Sequence, residues 1–267
     1  MKEASRGANA ADDRPLLGTN WKMTRTVLEA REYCRVLVGL VEDSAVDCEL
    51  FVLPPYTALP TVAEILADSQ IAWGAQDVHP NEDGAHTGDI SGRMLAELGC
   101  RYVAVGHLER RSAYGETVAL VTAKAAAAQR WGLTPIVCVG DRERISPAHA
   151  IRCAARQLAL VRELDPEQLV VAYEPGWAIG TGGSPATTEW IRAVHGGIRG
   201  FLTETFGRVA GIRLISGGSV TTGNARTIAI QPNVDGLFVG RGATDPSSFY
   251  SIARGLSLGK TDGRARV

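Results

Sequence analysis

The sequence is short of the features that mark several large function classes. It has no excess of either charge: 28 lysines and arginines stand against 29 aspartates and glutamates, so no broad basic field draws it to nucleic acid or a membrane surface. No apolar run approaches the roughly 20 residues that span a bilayer. The opening MKEASRGANAADDR lacks the apolar centre of a signal peptide. The five cysteines (Cys34, Cys48, Cys100, Cys138 and Cys153) are odd in number and widely separated, with no CxxC or Cys/His ligand spacing. That pattern argues against a disulfide framework or a zinc site and fits a reducing cytoplasm. No cofactor is called for, because no metal cluster or redox fingerprint is present. The partners expected are small molecules or a second copy of the chain.

What the sequence does have is repetition. In 267 residues, 45% of them hydrophobic, short apolar runs of strand length alternate with longer amphipathic stretches. This is the signature of a parallel sheet covered by helices. Eight such runs are read: 16–21, 48–55, 72–78, 102–107, 135–140, 169–175, 212–218 and 234–241. Helices are read between them, as in TVLEAREYCRVLVGLVED and TVALVTAKAAAAQRWG, the second stopping at Gly132. An open doubly wound sheet would more often carry a GxGxxG turn after its first strand; here that turn is NWKMT. The fold class read is therefore α/β, a single eight-fold (β/α) barrel over 15–257, with a disordered tail at 1–14 and a flexible one at 258–267.

Active sites of such barrels sit at the C-terminal ends of the strands, where polar residues break the core pattern. The first strand ends in Asn20-Trp21-Lys22, the fourth in Gly106-His107 before Leu108-Glu109-Arg110-Arg111, and the sixth in Glu174-Pro175-Gly176-Trp177. The seventh and eighth end in Ser216-Gly217-Gly218-Ser219 and Gly240-Arg241-Gly242. A carboxylate so placed can take a proton from carbon, a neutral imidazole can polarise the adjoining carbonyl, and an ammonium can stabilise an enediolate. Glycine-rich turns let backbone N–H groups approach a phosphate. Taken singly, each residue has a plainer reading: a strand-end glutamate is commonly solvated, a histidine commonly structural and a lysine commonly on the surface. Cys138 reads as a buried packing residue, and His79, His86, His149 and His195 as structural or exposed.

The ordered set NWKM, GAQDV, HTGDIS, VGHLERR, YGET, CVG, AYEPGWAIGTG, GGSV and VDGLFVG resembles the triosephosphate isomerase family from about Leu16 to Ala253. The resemblance implies a TIM barrel with Glu174 as base, His107 as neutral electrophile, and Asn20 and Lys22 as the substrate-binding pair, with Glu109 partnering the lysine. It implies a lid from Pro175 to about Pro185, including Trp177 and Ala178-Ile179-Gly180-Thr181-Gly182, and a phosphate cradle of N–H groups from Gly180, Ser219, Gly240 and Arg241. It also implies a homodimer formed through the loop 76–90. Arg110 and Arg111 read as structural, an arginine fork beside Glu109 that holds the loop.

The chain departs from the family pattern at several of these places. Leu108 stands where the family usually has serine, Gly176 where it has valine, Gly183-Ser184-Pro185 where it has Lys-Thr-Ala, Ser216 where it has tyrosine and Arg241 where many members have glycine. Gly176 and Gly183 are expected to add freedom at the lid ends while Pro185 removes some of it, and loss of the phenol at Ser216 to loosen the closed lid. The activity expected is interconversion of dihydroxyacetone phosphate and glyceraldehyde 3-phosphate through an enediolate. Alternatives are isomerisation of a four-carbon erythrulose phosphate, as in divergent branches of the family, and sugar-phosphate binding with little catalysis.

Overall fold

Alternating side chains decide the architecture. In a computed structural model that describes residues 14–180, 182–207 and 211–257, eight parallel strands close in the order β1 to β8 and back to β1. They are β1 (Leu16–Asn20), β2 (Glu49–Leu53), β3 (Ile71–Ala75), β4 (Tyr102–Val105), β5 (Thr134–Val139), β6 (Val170–Tyr173), β7 (Arg213–Gly217) and β8 (Gly236–Val239). Each lies within one of the eight runs read from the sequence, except that β3 and β5 each begin one residue earlier. The expected tails fall outside the described residues except for Arg14, as does Thr181 of the lid.

Successive residues of a strand face opposite sides, so each strand feeds two cores. Leu16, Phe51, Tyr102, Ile136, Val170, Ile215 and Phe238 fill the barrel interior, while neighbours such as Leu17, Leu50, Val103 and Val171 pack outward under the helices. The interior is tight. A Cβ added at Gly18 on β1 would lie 1.8 Å from the Phe51 ring, so glycine there makes room for a fully buried phenylalanine whose burial is worth about 1.5–3 kcal/mol.

The outer ring is α1 (Val27–Asp43), α2 (Leu59–Leu66), α3 (Gly92–Glu97), α4 (Leu108–Ala113), α5 (Val118–Arg130), α6 (Pro147–Gln157), α7 (Thr188–Phe206), α8 (Ala225–Ala229) and α9 (Pro246–Ser257). Helix α1 starts where Thr26 and Glu29 form a reciprocal capping box, a device worth about 1 kcal/mol. Helix α5 is capped by Thr117 and followed by Gly132 at φ 71°, the stop read from the sequence. Helix α9 is tied back beside α1 by Tyr250, whose hydroxyl donates to the Ser44 carbonyl at 2.9 Å. No helix among the described residues is long and apolar enough to cross a membrane.

Candidate active site

The strand ends converge on one cavity of about 750 Å³, lined by Asn20, Lys22, His107 and Glu174, by the lid residues Ala178 to Gly180, and by the turns after β7 and β8. Every residue read as a site candidate reaches it except Glu109, which touches it through Lys22.

Lys22 sits just beyond β1 in the left-handed region at φ 53°, a conformation that costs a non-glycine residue energy unless its surroundings impose it. Here they do. The Lys22 N–H donates to Asn20 Oδ1 at 2.9 Å, and Gln76 Nε2 donates to the Lys22 carbonyl at 2.9 Å and to the Leu53 carbonyl at 3.0 Å. Its ammonium is 2.5 Å from Glu109 Oε1.

His107 caps α4: its Nδ1 accepts from the Glu109 N–H at 3.3 Å. In accepting there, Nδ1 leaves the ring proton to Nε2; Glu109 Oε2 also lies 3.5 Å from Nδ1. The Nε2 faces Glu174 Oε2 at 3.4 Å. Glu174 follows β6, buried except for 9% of its surface. Its Oε2 is buried without a hydrogen-bond partner from the protein, a cost in stability of the kind kept where a catalytic role requires it. Glycines make the room it needs. A Cβ at Gly217 would lie 2.7 Å from Glu174 Cγ, and one at Gly140 would lie 2.0 Å from the Glu174 carbonyl oxygen. Beside it, burial and the Glu174 carboxylate push the Cys138 thiol pKa well up, which agrees with its reading as a packing residue.

The segment read as a lid is held at several points. Trp177 Nε1 donates to Asp141 Oδ2 at 3.1 Å, and the Gly176 N–H to the Asp141 carbonyl at 2.7 Å. Ser219 Oγ donates to the Ala178 carbonyl at 2.6 Å, and the Arg241 guanidinium to that of Gly180. Ser219 is itself left-handed at φ 52°, and Asn224 holds its carbonyl at 3.0 Å. Among the described residues, no acceptor in the surrounding turns takes the N–H of Gly180, Ser219, Gly240 or Arg241.

The departures from the family pattern acquire physical reasons here. A Cβ at Gly176 would lie 2.6 Å from Leu108 Cδ2 and 3.0 Å from the Asp141 carbonyl, and one at Gly183 would lie 2.6 Å from the Ala178 carbonyl carbon. Close packing therefore sets both glycines, and Leu108 and Gly176 form a complementary pair. Ser216 is buried in β7.

Arg110 and Arg111 are structural, though with different partners from those expected. Arg110 Nε pairs with Glu116 at 2.6 Å and Asp77 at 2.8 Å, not with Glu109, and buried Lys124 bridges the same two carboxylates. Arg111 donates to the carbonyls of Gly106 and Cys138. His195 is fully buried against the Asn233 carbonyl, while His79 and His86 stack at 4.0 Å. Sequence reasoning placed Gln76 only at the start of the loop 76–90 and gave no role to Asp141 or Asn224. Gln76 and Asp141 had a signal, each being a polar residue at the end of an apolar run.

Comparison with known proteins agrees with this geometry. The family model described as triosephosphate isomerase matches residues 15–256. The triosephosphate isomerase of Thermus thermophilus is 43% identical over 90% of this chain and 98% of its own length. That of Xanthobacter flavus is 44% identical over 92% and 99%. The crystal structure of the Bartonella henselae enzyme superposes with a TM-score of 0.80 at 32% identity, covering 91% of this chain and 98% of that one. With its closed barrel, its strand-end polar set and relatives matched over nearly their whole length, the chain belongs to the triosephosphate isomerase family.

Proposed function

We propose that the chain interconverts dihydroxyacetone phosphate and D-glyceraldehyde 3-phosphate, the aldose-ketose isomerisation of glycolysis and gluconeogenesis, with Glu174 as the base. The observation that carries this is the buried, unpartnered Glu174 Oε2 at 3.4 Å from His107 Nε2. The pairing of a glutamate base with a neutral histidine is the mechanism known for the family. It is carried over here residue by residue.

Glu174 removes the proton from the carbon beside the carbonyl, and the C–H electron pair becomes the enediolate C=C bond. His107 Nε2–H hydrogen-bonds the oxygen on which charge develops, and Lys22, oriented by Asn20 and Glu109, stabilises the anion. The hydroxyl proton on the first carbon passes to the charged oxygen of the second, with His107 Nε2 between the two oxygens as carrier; protonated Glu174 then returns its proton to the second carbon, and the carbonyl re-forms on the first. The N–H groups of Gly180, Ser219, Gly240 and Arg241 suit the phosphate. Closure of the lid shields the enediolate from water.

The loop 76–90 supports a homodimer: much of its tip is exposed, as is Met23 beside Lys22 at 97%. The cysteines, all free thiols, fit a reducing, cytoplasmic setting. A coupled assay on both triose phosphates and erythrulose 1-phosphate tests the substrate. Triose turnover above about 10⁴ M⁻¹s⁻¹ in kcat/KM is expected. Faster four-carbon turnover would overturn the assignment, and phosphate binding without any turnover would leave a binding protein.

A further inference from the structure

The rim carries a cation that the isomerisation as described leaves unused. The cavity is lined by Lys22, Arg25 and Arg241. Lys22 is committed to Glu109. Arg25 is held over the Trp21 and Tyr33 rings at 5.0 and 4.4 Å and donates to the Thr244 carbonyl. Arg241 differs from both: it is exposed, and its Nη2 donates to the carbonyl of Gly180 in the lid. Among the described residues, no carboxylate lies within ion-pair distance of it. Its own N–H and that of Gly180 both belong to the proposed cradle, so the guanidinium spans the two sides of the phosphate position.

We propose that the Arg241 side chain is a substrate-binding group that couples the phosphate dianion to the lid, pairing with the anion while it donates to the Gly180 carbonyl. This deepens the sugar-phosphate reading of the cavity and rests on it. A guanidinium presents five N–H donors in a planar fork. One spent on Gly180 leaves others for phosphate oxygens, in bonds strengthened by charge on both partners. Because one group serves both contacts, a bound phosphate holds the lid and a held lid improves phosphate binding, by the reciprocity that governs any two coupled equilibria. The link also stands in for one the chain lacks: where the family has a tyrosine able to latch the lid, Ser216 is buried in β7, and Ser219 and Arg241 make the cross-rim bonds instead.

The test compares wild type with Arg241→Gln and Arg241→Lys at constant ionic strength. It reads kcat and KM for glyceraldehyde 3-phosphate, competitive inhibition by inorganic phosphate, and the protection of amides 178–183 from hydrogen exchange with and without inorganic phosphate. Arg241→Gln should raise both KM and the phosphate inhibition constant by about tenfold or more, the scale of a lost charge-assisted hydrogen bond. It should also abolish the phosphate-dependent protection of the lid, with kcat reduced less than KM is raised. Arg241→Lys should recover part of the phosphate affinity through its charge and little of the lid protection, since an ammonium lacks the fork.

If Arg241→Gln leaves KM and phosphate inhibition within about twofold of wild type, the proposal is wrong, and the same holds if it lowers only the melting temperature. If inorganic phosphate fails to inhibit even the wild-type enzyme, the sugar-phosphate reading of the cavity falls with it. Inhibition of wild type and variant alike removes only the role of Arg241.

Discussion

Two buried glutamates at opposite ends of the barrel show how one residue type serves stability at one end and chemistry at the other. Glu49 begins β2 at the N-terminal floor with 4% of its surface exposed; Glu174 follows β6 at the rim with 9%. Burial would raise the Glu49 pKa, but Arg213 at 2.5 Å, the Tyr102 hydroxyl and Arg101 at 2.9 Å more than reverse it and hold the carboxyl below its usual range. Glu174 has His107 Nε2 at 3.4 Å and the Cys138 thiol beside it, no lysine or arginine among the described residues within ion-pair distance, and a carboxylate oxygen without a bond. Burial is nearly the same for both. The difference lies in satisfaction: the floor pairs its charge fully, while the rim leaves one oxygen free to take a proton.

The sharpest way to test the contrast is to remove each charge without changing shape. Glu174→Gln should lower kcat by about 10²–10⁴-fold, the usual contribution of a positioned base, while the melting temperature stays near wild type. An unchanged kcat would end the assignment. Glu49→Gln should do the reverse. It leaves Arg213 poorly paired at the floor and should cost about 3–5 kcal/mol in denaturant unfolding, with KM for glyceraldehyde 3-phosphate unaffected. Should both variants lose activity and stability together, the two ends would not be separable.

A smaller effect is expected behind the rim. Gly176→Val drives a side chain into Leu108 Cδ2, which a Cβ alone would approach to 2.6 Å, and should cost about 1–3 kcal/mol through overpacking, seen in both melting temperature and kcat/KM. Adding Leu108→Ser should recover most of the loss, because it clears that contact. A double variant no better than the single would mean that the Asp141 carbonyl, at 3.0 Å, sets the limit.

The smallest effect is in the pH dependence. The Glu49 pKa is lowered in the folded state, so its contribution is fully present above the unfolded value of about 4.3 and is lost as pH falls through the folded value. The melting-temperature gap between wild type and Glu49→Gln should therefore be widest near neutrality and narrow in acid. A gap that widened in acid would contradict the pairing at the floor.

Much of the fold was legible because it rests on local periodicity: eight apolar runs, helical stretches between them, Thr26 and Thr117 at helix starts and Gly132 at a helix stop. Much of the site was legible because a polar residue ending an apolar strand is conspicuous, as at Asn20, His107 and Glu174. The roles of Gln76, Asp141 and Asn224 were not visible, because each acts through a partner elsewhere in the chain: Gln76 on the carbonyls of Lys22 and Leu53, Asp141 on Trp177 and Asn224 on Ser219. The partners of Arg110 were misread for the same reason. Glu109 is its neighbour in sequence, whereas Asp77 and Glu116 are its neighbours in space.

The amino-acid sequence by itself determined the βα alternation, the ring of eight strands and the residues offered at the rim, since side-chain period and strand-end polarity are properties of short segments. Only the tertiary structure decided which buried charges are satisfied. It set Glu49 among two arginines and a tyrosine, left Glu174 Oε2 without a partner, fitted Leu108 against Gly176 and brought Arg241 to Gly180. Those outcomes depend on distances between segments far apart in the chain, and closure of the barrel fixes them.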